Sequence, residues 1–293
     1  MASNALTHED VSVQRVDPGL LRCPADFNHE LNESENGLIC NSCQRDYAIV
    51  DNRVIFFKYP ANAYIRGIKP KSVWSNFRKA NFEYFVDNLK HESRNQTLLD
   101  VGSGPSDFRE LTSQFRYIGM DLVPYELVNV VTDFNRPLPF KSEFCDIIFM
   151  SNILEHIPDP TLLLKECYRI LRPGGLLLGS TALLQEVHQI PYDFLRYTNF
   201  MLEKLLTDIG FRKSKATSLS TPLDTYQSMQ RQFFEIVSAT RFCENRYKNY
   251  LLRKTTAAFE KCSSKALGLL NPVLGSIGPS DVFTEGYGYR GEK

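Results

Sequence analysis

Apolar positions in the middle of the chain fall into short unbroken runs that end in turns, whereas those toward its C-terminus recur at helical spacing. Thr97-Leu98-Leu99-Asp100-Val101 has no helical period and breaks at once into Gly102-Ser103-Gly104, which predicts a buried strand delivering a glycine loop, with a helix over 107–113 after it. Apolar residues also concentrate over 117–121, 144–151 and 171–179. Over 72–89, Trp74, Phe77, Phe82, Phe85, Val86 and Leu89 lie at near-helical spacing, so a helix with an aromatic stripe should pack beside the sheet. Thr198 is placed to cap a helix running through Asp208, with Met201, Leu202, Leu205, Leu206 and Ile209 inward and Gly210 as its stop. A sixth strand is expected near 216–221 and the last near 281–289, with a helical insertion over about 223–278 between them.

Runs of strand alternating with helix imply an α/β fold with a mostly parallel sheet. The 293 residues suffice for one such core over 59–293, a small β-rich segment over 20–58 and a polar, mobile start over 1–19. Lys and Arg together number 34 and so do Asp and Glu, so the chain offers no overall field that would gather nucleic acid. Seven cysteines, odd in number and scattered, give no disulfide framework, and no segment reads as a signal peptide or reaches transmembrane length. A cytoplasmic location is the expectation.

The loop carries the most specific chemistry. A dinucleotide site needs a third glycine so that pyrophosphate can sit on the helix N-terminus, and here Pro105-Ser106 follows instead while Asp100 precedes the first glycine. An acid at that place suits a cofactor with a cationic, amino-acid-bearing end. At these residues the chain resembles the class I S-adenosylmethionine-dependent methyltransferases, whose loop reads Asp/Glu-x-Gly-x-Gly. The resemblance extends through Tyr117-Ile118-Gly119-Met120-Asp121, Asp133-Phe134-Asn135-Arg136-Pro137, the Asn152-Ile153-Leu154-Glu155-His156 stretch and Leu171-Arg172-Pro173-Gly174-Gly175, over about 96–211.

That resemblance implies a Rossmann-like, seven-stranded, mostly parallel sheet with helices on both faces. It also implies S-adenosyl-L-methionine bound by Asp100, Gly102, Gly104, Asp121 at the ribose, Asp133 at the adenine amino group, Phe134 against the ring, and Ser151. Ser106 departs from the pattern, where a third small residue is usual. The acceptor is expected at 187–198, a loop rich in His, Tyr, Asp and Arg after the C-terminal end of the fifth strand. His156 and His188 are the candidate bases, with Glu155 and Asp193 behind them, and Tyr192 and Arg196 are expected either to place the acceptor or to brace the loop.

The likeness of the loop sequence to small-molecule enzymes points to a small-molecule, glycan or lipid-linked acceptor. The alternatives are a ribosomal or transfer RNA methyltransferase, which neutral charge disfavours, and a non-catalytic scaffold acting through its ribbon and its basic insertion. The basic stretch followed by apolar residues over 241–275 suggests peripheral membrane contact or a solvated helix face. In the N-terminal segment, Cys23-x₂-Asp26 and Cys40-x₂-Cys43 resemble the paired knuckles of a zinc ribbon. A structural zinc held by Cys23, Asp26, Cys40 and Cys43, with His29 as a substitute, is one expectation; a metal-free ribbon packed through Leu38, Ile39, Tyr47, Ile49 and Ile55 is the other.

Overall fold

The computed structural model describes residues 13–26, 29–58, 75–105, 108–239, 246–274, 278 and 280–293. Strand β5 (Thr97–Val101) lies at the centre of a sheet whose parallel neighbours are β6 (Arg116–Asp121), β7 (Val130–Val131), β8 (Cys145–Ser151) and β9 (Leu171–Ala182). The last strand, β11 (Gly286–Glu292), runs antiparallel between β9 and β10 (Arg212–Ser218). These are the seven strands of the expected Rossmann-like sheet, in the order β7-β6-β5-β8-β9-β11-β10.

The sheet does not stop there. The N-terminal meander β1 (Leu31–Ser34), β2 (Gly37–Cys40), β3 (Asp46–Val50) and β4 (Arg53–Ile55) joins it through a parallel pairing of Val54 with Val130 and Ile55 with Val131, giving 11 strands in one sheet. The segment expected as a separate ribbon therefore completes an edge that β7, only two residues long, would otherwise leave open.

Because side chains alternate along a strand, each strand feeds both faces. Leu98, Ile147, Phe149, Leu176 and Leu178 pack with Phe85 and Leu89 of α1 (Asn76–Leu89), while Leu99, Val101, Ile148, Met150 and Leu177 pack on the other face with α3 (Pro160–Ile170) and α4 (Asn199–Ile209). The α1 stripe is core: Phe85 lies 4.4 Å from Phe149 and 5.3 Å from Phe108, centroid to centroid. Trp74 lies outside the described residues, as do Asp107 and the connector 59–74.

Three expected boundaries moved, and one side chain faces the other way. Helix α2 (Arg109–Thr112) is only 4 residues long, because Phe108 is drawn into the aromatic cluster and no side chain caps the helix start. Strand β10 begins at Arg212 because Gly210, at φ 116°, ends α4 and Phe211 turns directly into the sheet. Its run of Arg212, Lys213 and Lys215 hid it from apolar patterning, being the polar face of an edge strand. Strand β11 lies later than expected, since its alternating buried Tyr287 and Tyr289 are spaced by glycines that let Tyr289 sit on Gly179. Met201, expected inward on α4, is exposed, while Leu202 and Leu206 are buried. Between β10 and β11 lie α5 (Pro222–Ala239) and α6 (Arg246–Leu274), packed on each other through Phe234 and Phe259; Arg241, part of the expected basic run, lies outside the described residues.

Candidate cofactor and acceptor site

The C-terminal ends of β5, β6, β7 and β8 open on one edge of the sheet, where ligands bind in open α/β folds. Beyond β5 the chain turns through Gly102 at φ 74° and Gly104 at φ 53°, both left-handed. Gly102 is pressed against Ile153, whose side chain fills the place a Cβ would take, whereas around Gly104 that place is open space. Gly104 N donates to Asp121 Oδ2 and Val123 N donates to Asp121 Oδ1, each at 2.9 Å, so the acid ending β6 ties the glycine loop to its own turn. Burial pushes the Asp121 carboxyl up, opposed by these amides.

Asp100 is buried beneath the loop and accepts the Tyr117 hydroxyl at 2.9 Å. Burial pushes it up to about 7, the Tyr117 hydrogen bond opposes this, and the charge of Asp121 adds to it. Two neighbouring buried acids make this cleft hostile to pyrophosphate and receptive to a cation.

The remaining expected cofactor residues are placed less directly. Asp133 Oδ1 accepts the Asn135 amide at 2.9 Å and Oδ2 lies 3.3 Å from Arg136 Nε, so the carboxylate holds its own turn beyond β7. Phe134 is buried in the core on the α3 face. Ser151 Oγ is 3.4 Å from Ser180 Oγ across β8 and β9.

After Ser151 the chain passes through Asn152 at φ 54°, and a short helical turn, Leu154–His156, aims Glu155 and His156 back over the sheet edge. Glu155 is fully buried and accepts Thr181 Oγ1 at 2.8 Å; burial raises its pKa, opposed by its own amide and then by Thr181. The Glu155 carbonyl accepts the amides of Phe194 and Leu195, pinning the 187–198 loop against this turn. His156 Nδ1 lies 2.6 Å from the Tyr192 carbonyl oxygen, and its pKa is lowered chiefly by burial. The His188 ring stands edge-on to it with centroids 4.9 Å apart.

Tyr192 thus contributes its backbone carbonyl, with its side chain exposed. Arg196 forms a forked pair with Asp193 at 2.5 and 2.8 Å and donates to the carbonyl of Leu195 in the loop and to those of Gln185 and Glu186 just before it. These bonds tie Arg196 to its own stretch of chain. The sequence reading missed Tyr117, Ile153 and Thr181, which hold Asp100, the Gly102 turn and Glu155 from neighbouring strands and turns; only their packing marks them.

In the meander, donor atoms of Cys23, Cys40 and Cys43 lie within 4.8 Å of one another, and Cys23 Sγ is 3.6 Å from Cys43 Sγ. Asp26, expected as the fourth ligand, lies outside that cluster: its carboxylate pairs with His29 Nδ1 at 3.0 Å and accepts from the Ser42 side chain. The clustered donors among the described residues are the three thiols, with the Tyr47 hydroxyl 3.1 Å from Cys23 Sγ.

The strand order and the glycine turn are those of a Rossmann-like α/β sheet, and residues 99–179 match the methyltransferase domain family. Among curated proteins, the chain is 35% identical over 96 residues to an uncharacterized methyltransferase of Mycobacterium sp. (strain KMS), covering 29% of this chain and 38% of the relative. It is 38% identical over 98 residues to one from Mycobacterium tuberculosis (strain H37Rv), covering 29% and 39%. The match thus spans about two fifths of those relatives. Solved structures that resemble it include a SAM-dependent methyltransferase from Archaeoglobus fulgidus (TM-score 0.44, 17% identity, 73% of this chain and 94% of that one). Another is phosphoethanolamine N-methyltransferase 2 from Haemonchus contortus with S-adenosyl-L-methionine (TM-score 0.43, 17% identity, 73% and 51%).

Proposed function

We propose that the protein transfers a methyl group from S-adenosylmethionine to a small-molecule, glycan or lipid-linked acceptor received beside the 187–198 loop. The observation that carries this is the open, Cβ-free cradle at Gly104 beside the Asp121 carboxylate, over a second buried acid at Asp100. The bound cofactor supplies an electrophilic methyl group on a sulfonium. Gly102 and Gly104 would let backbone approach its amino-acid end, Asp121 would accept from the ribose hydroxyls, and Asp133, Phe134 and Ser151 would line the adenine and sulfonium sides. The transfer is an in-line displacement, so the protein's share is to place the acceptor and exclude water. His156, His188 and the braced loop form the wall on which the acceptor rests.

Calorimetry tests this reading. S-adenosylmethionine should bind the full chain, and Asp121→Ala should weaken binding by about 1.5 to 3 kcal/mol, the value of charge-assisted hydrogen bonds. Absence of heat in the wild-type protein would favour the scaffold reading.

The three clustered thiols fit a structural zinc, with a fourth position for water or another ligand. Elemental analysis of protein purified without added metal should then lose about one zinc per chain on Cys40→Ser/Cys43→Ser substitution. An unchanged metal content would leave the meander as a ribbon held by packing alone.

A cytoplasmic setting and peripheral membrane contact through the insertion belong to the same reading. Phe233, Ile236, Tyr250, Phe259 and Leu269 are exposed on α5 and α6 among lysines and arginines, which supports the contact. Among the described residues, no helix is long and apolar enough to cross a membrane.

A further inference from the structure

His156 and His188 are oriented in the same way. His156 Nδ1 faces the Tyr192 carbonyl at 2.6 Å, and His188 Nδ1 faces the Glu186 carbonyl at 3.0 Å and the Asp193 carboxylate at 3.3 Å. Those oxygens only accept, so in the neutral rings Nδ1 is the donor and Nε2 the atom with the lone pair. Metal-ligating histidines are held in this way, with the far nitrogen donating to a carbonyl or carboxylate. His156 Nε2 is buried without a hydrogen-bond partner, and so is Oε1 of Glu155, a residue with 0% exposure. Donor atoms from Glu155, His156 and His188 lie within 4.8 Å of one another. Neighbouring acceptors with no donor between them repel, and a shared cation removes that cost.

We propose that Glu155, His156 and His188 bind a divalent first-row transition metal ion through Glu155 Oε1 and the two imidazole Nε2 atoms. Two nitrogens and one carboxylate oxygen are a donor set for zinc, cobalt, iron or manganese, and three protein ligands leave at least one coordination position open. Bond lengths of about 2.0 to 2.2 Å require the donors to close to about 3 to 3.5 Å from each other. His188, whose side chain is 31% exposed on its loop, can supply that movement, while Glu155 and His156 are fixed from below. Asp193, Arg196 and Glu186 are the other charged groups facing the cluster, Asp193 and Arg196 being paired with each other. The open position takes an oxygen of the acceptor, a step that rests on the methyl-transfer reading; the metal site itself does not.

Cobalt(II) titration followed by visible absorption tests the site in the full chain carrying Cys40→Ser and Cys43→Ser, so that the thiol cluster does not compete. One equivalent should bind with the d–d spectrum of nitrogen and oxygen ligands and no thiolate charge-transfer band. Adding His188→Ala should weaken it at least about tenfold while leaving the melting temperature within a few degrees. If the serine substitutions unfold the meander, the wild-type chain should bind two spectroscopically distinct equivalents, of which His188→Ala removes only the one without thiolate bands. A folded protein that binds no such equivalent, or one whose affinity is unaffected by His188→Ala and Glu155→Gln, would overturn the proposal. Cofactor calorimetry reads independently of this titration, so the two assignments fail separately.

Discussion

Asp193→Ala is expected to lower the unfolding free energy by about 2 to 4 kcal/mol at pH 7, measured by urea denaturation. Its side chain is 2% exposed, and its oxygens hold the forked Arg196 pair as well as the His188 amide at 2.9 Å. Breaking one partner of a buried pair costs about 3 to 5 kcal/mol, and the 25% exposure of Arg196 lets water take up part of that. Arg196 holds the Asp193 carboxyl well below the usual carboxylate range, against the desolvation that opposes it, with the His188 amide helping. A depressed folded-state pKa means that the stabilisation is complete above the unfolded value of about 3.9 and is lost as pH falls through and below it. The gap between wild type and Asp193→Ala should therefore narrow by about 1 kcal/mol between pH 5 and pH 3. A gap that is constant with pH, or below about 0.5 kcal/mol at pH 7, would mean that the pair does not brace the loop.

Gly102→Ala should reduce S-adenosylmethionine affinity on the order of 10²-fold and destabilise the fold as well, whereas Gly104→Ala should act mainly on affinity. Both positions are left-handed, which costs an alanine about 1 to 2 kcal/mol. At Gly102 the new methyl also overlaps Ile153, a residue packed on the core beyond β8, and overpacking adds about 1 to 3 kcal/mol. At Gly104 the methyl meets no protein atom and enters only the space read as the cofactor's. Calorimetry paired with thermal unfolding separates the two effects. Wild-type affinity in Gly104→Ala would remove the cradle from the cofactor site.

The central parallel strands were legible because each is buried on both faces and so appears as an unbroken apolar run, Leu98-Leu99 and Ile147-Ile148 being the clearest. The glycine turn was legible because left-handed backbone and close approach leave few residue choices at Gly102 and Gly104. The start of strand β10 was not, since the Arg212–Lys215 stretch of this edge strand carries no such run. The zinc-ribbon pattern named the cysteines but not the fate of Asp26, which depends on His29 and Ser42 reaching it first.

The sequence by itself determined the α/β class, the position of the cofactor loop and the acids beside it, because period and turn chemistry are local properties written over a few neighbouring residues. Tertiary structure alone decided the rest. It merged the N-terminal meander with the main sheet through β4 and β7, paired Arg196 with Asp193, and brought Glu155, His156 and His188 together with two buried acceptor atoms left unpaired. Those outcomes depend on which groups from distant segments meet first and on how much water remains between them, and no local pattern encodes either.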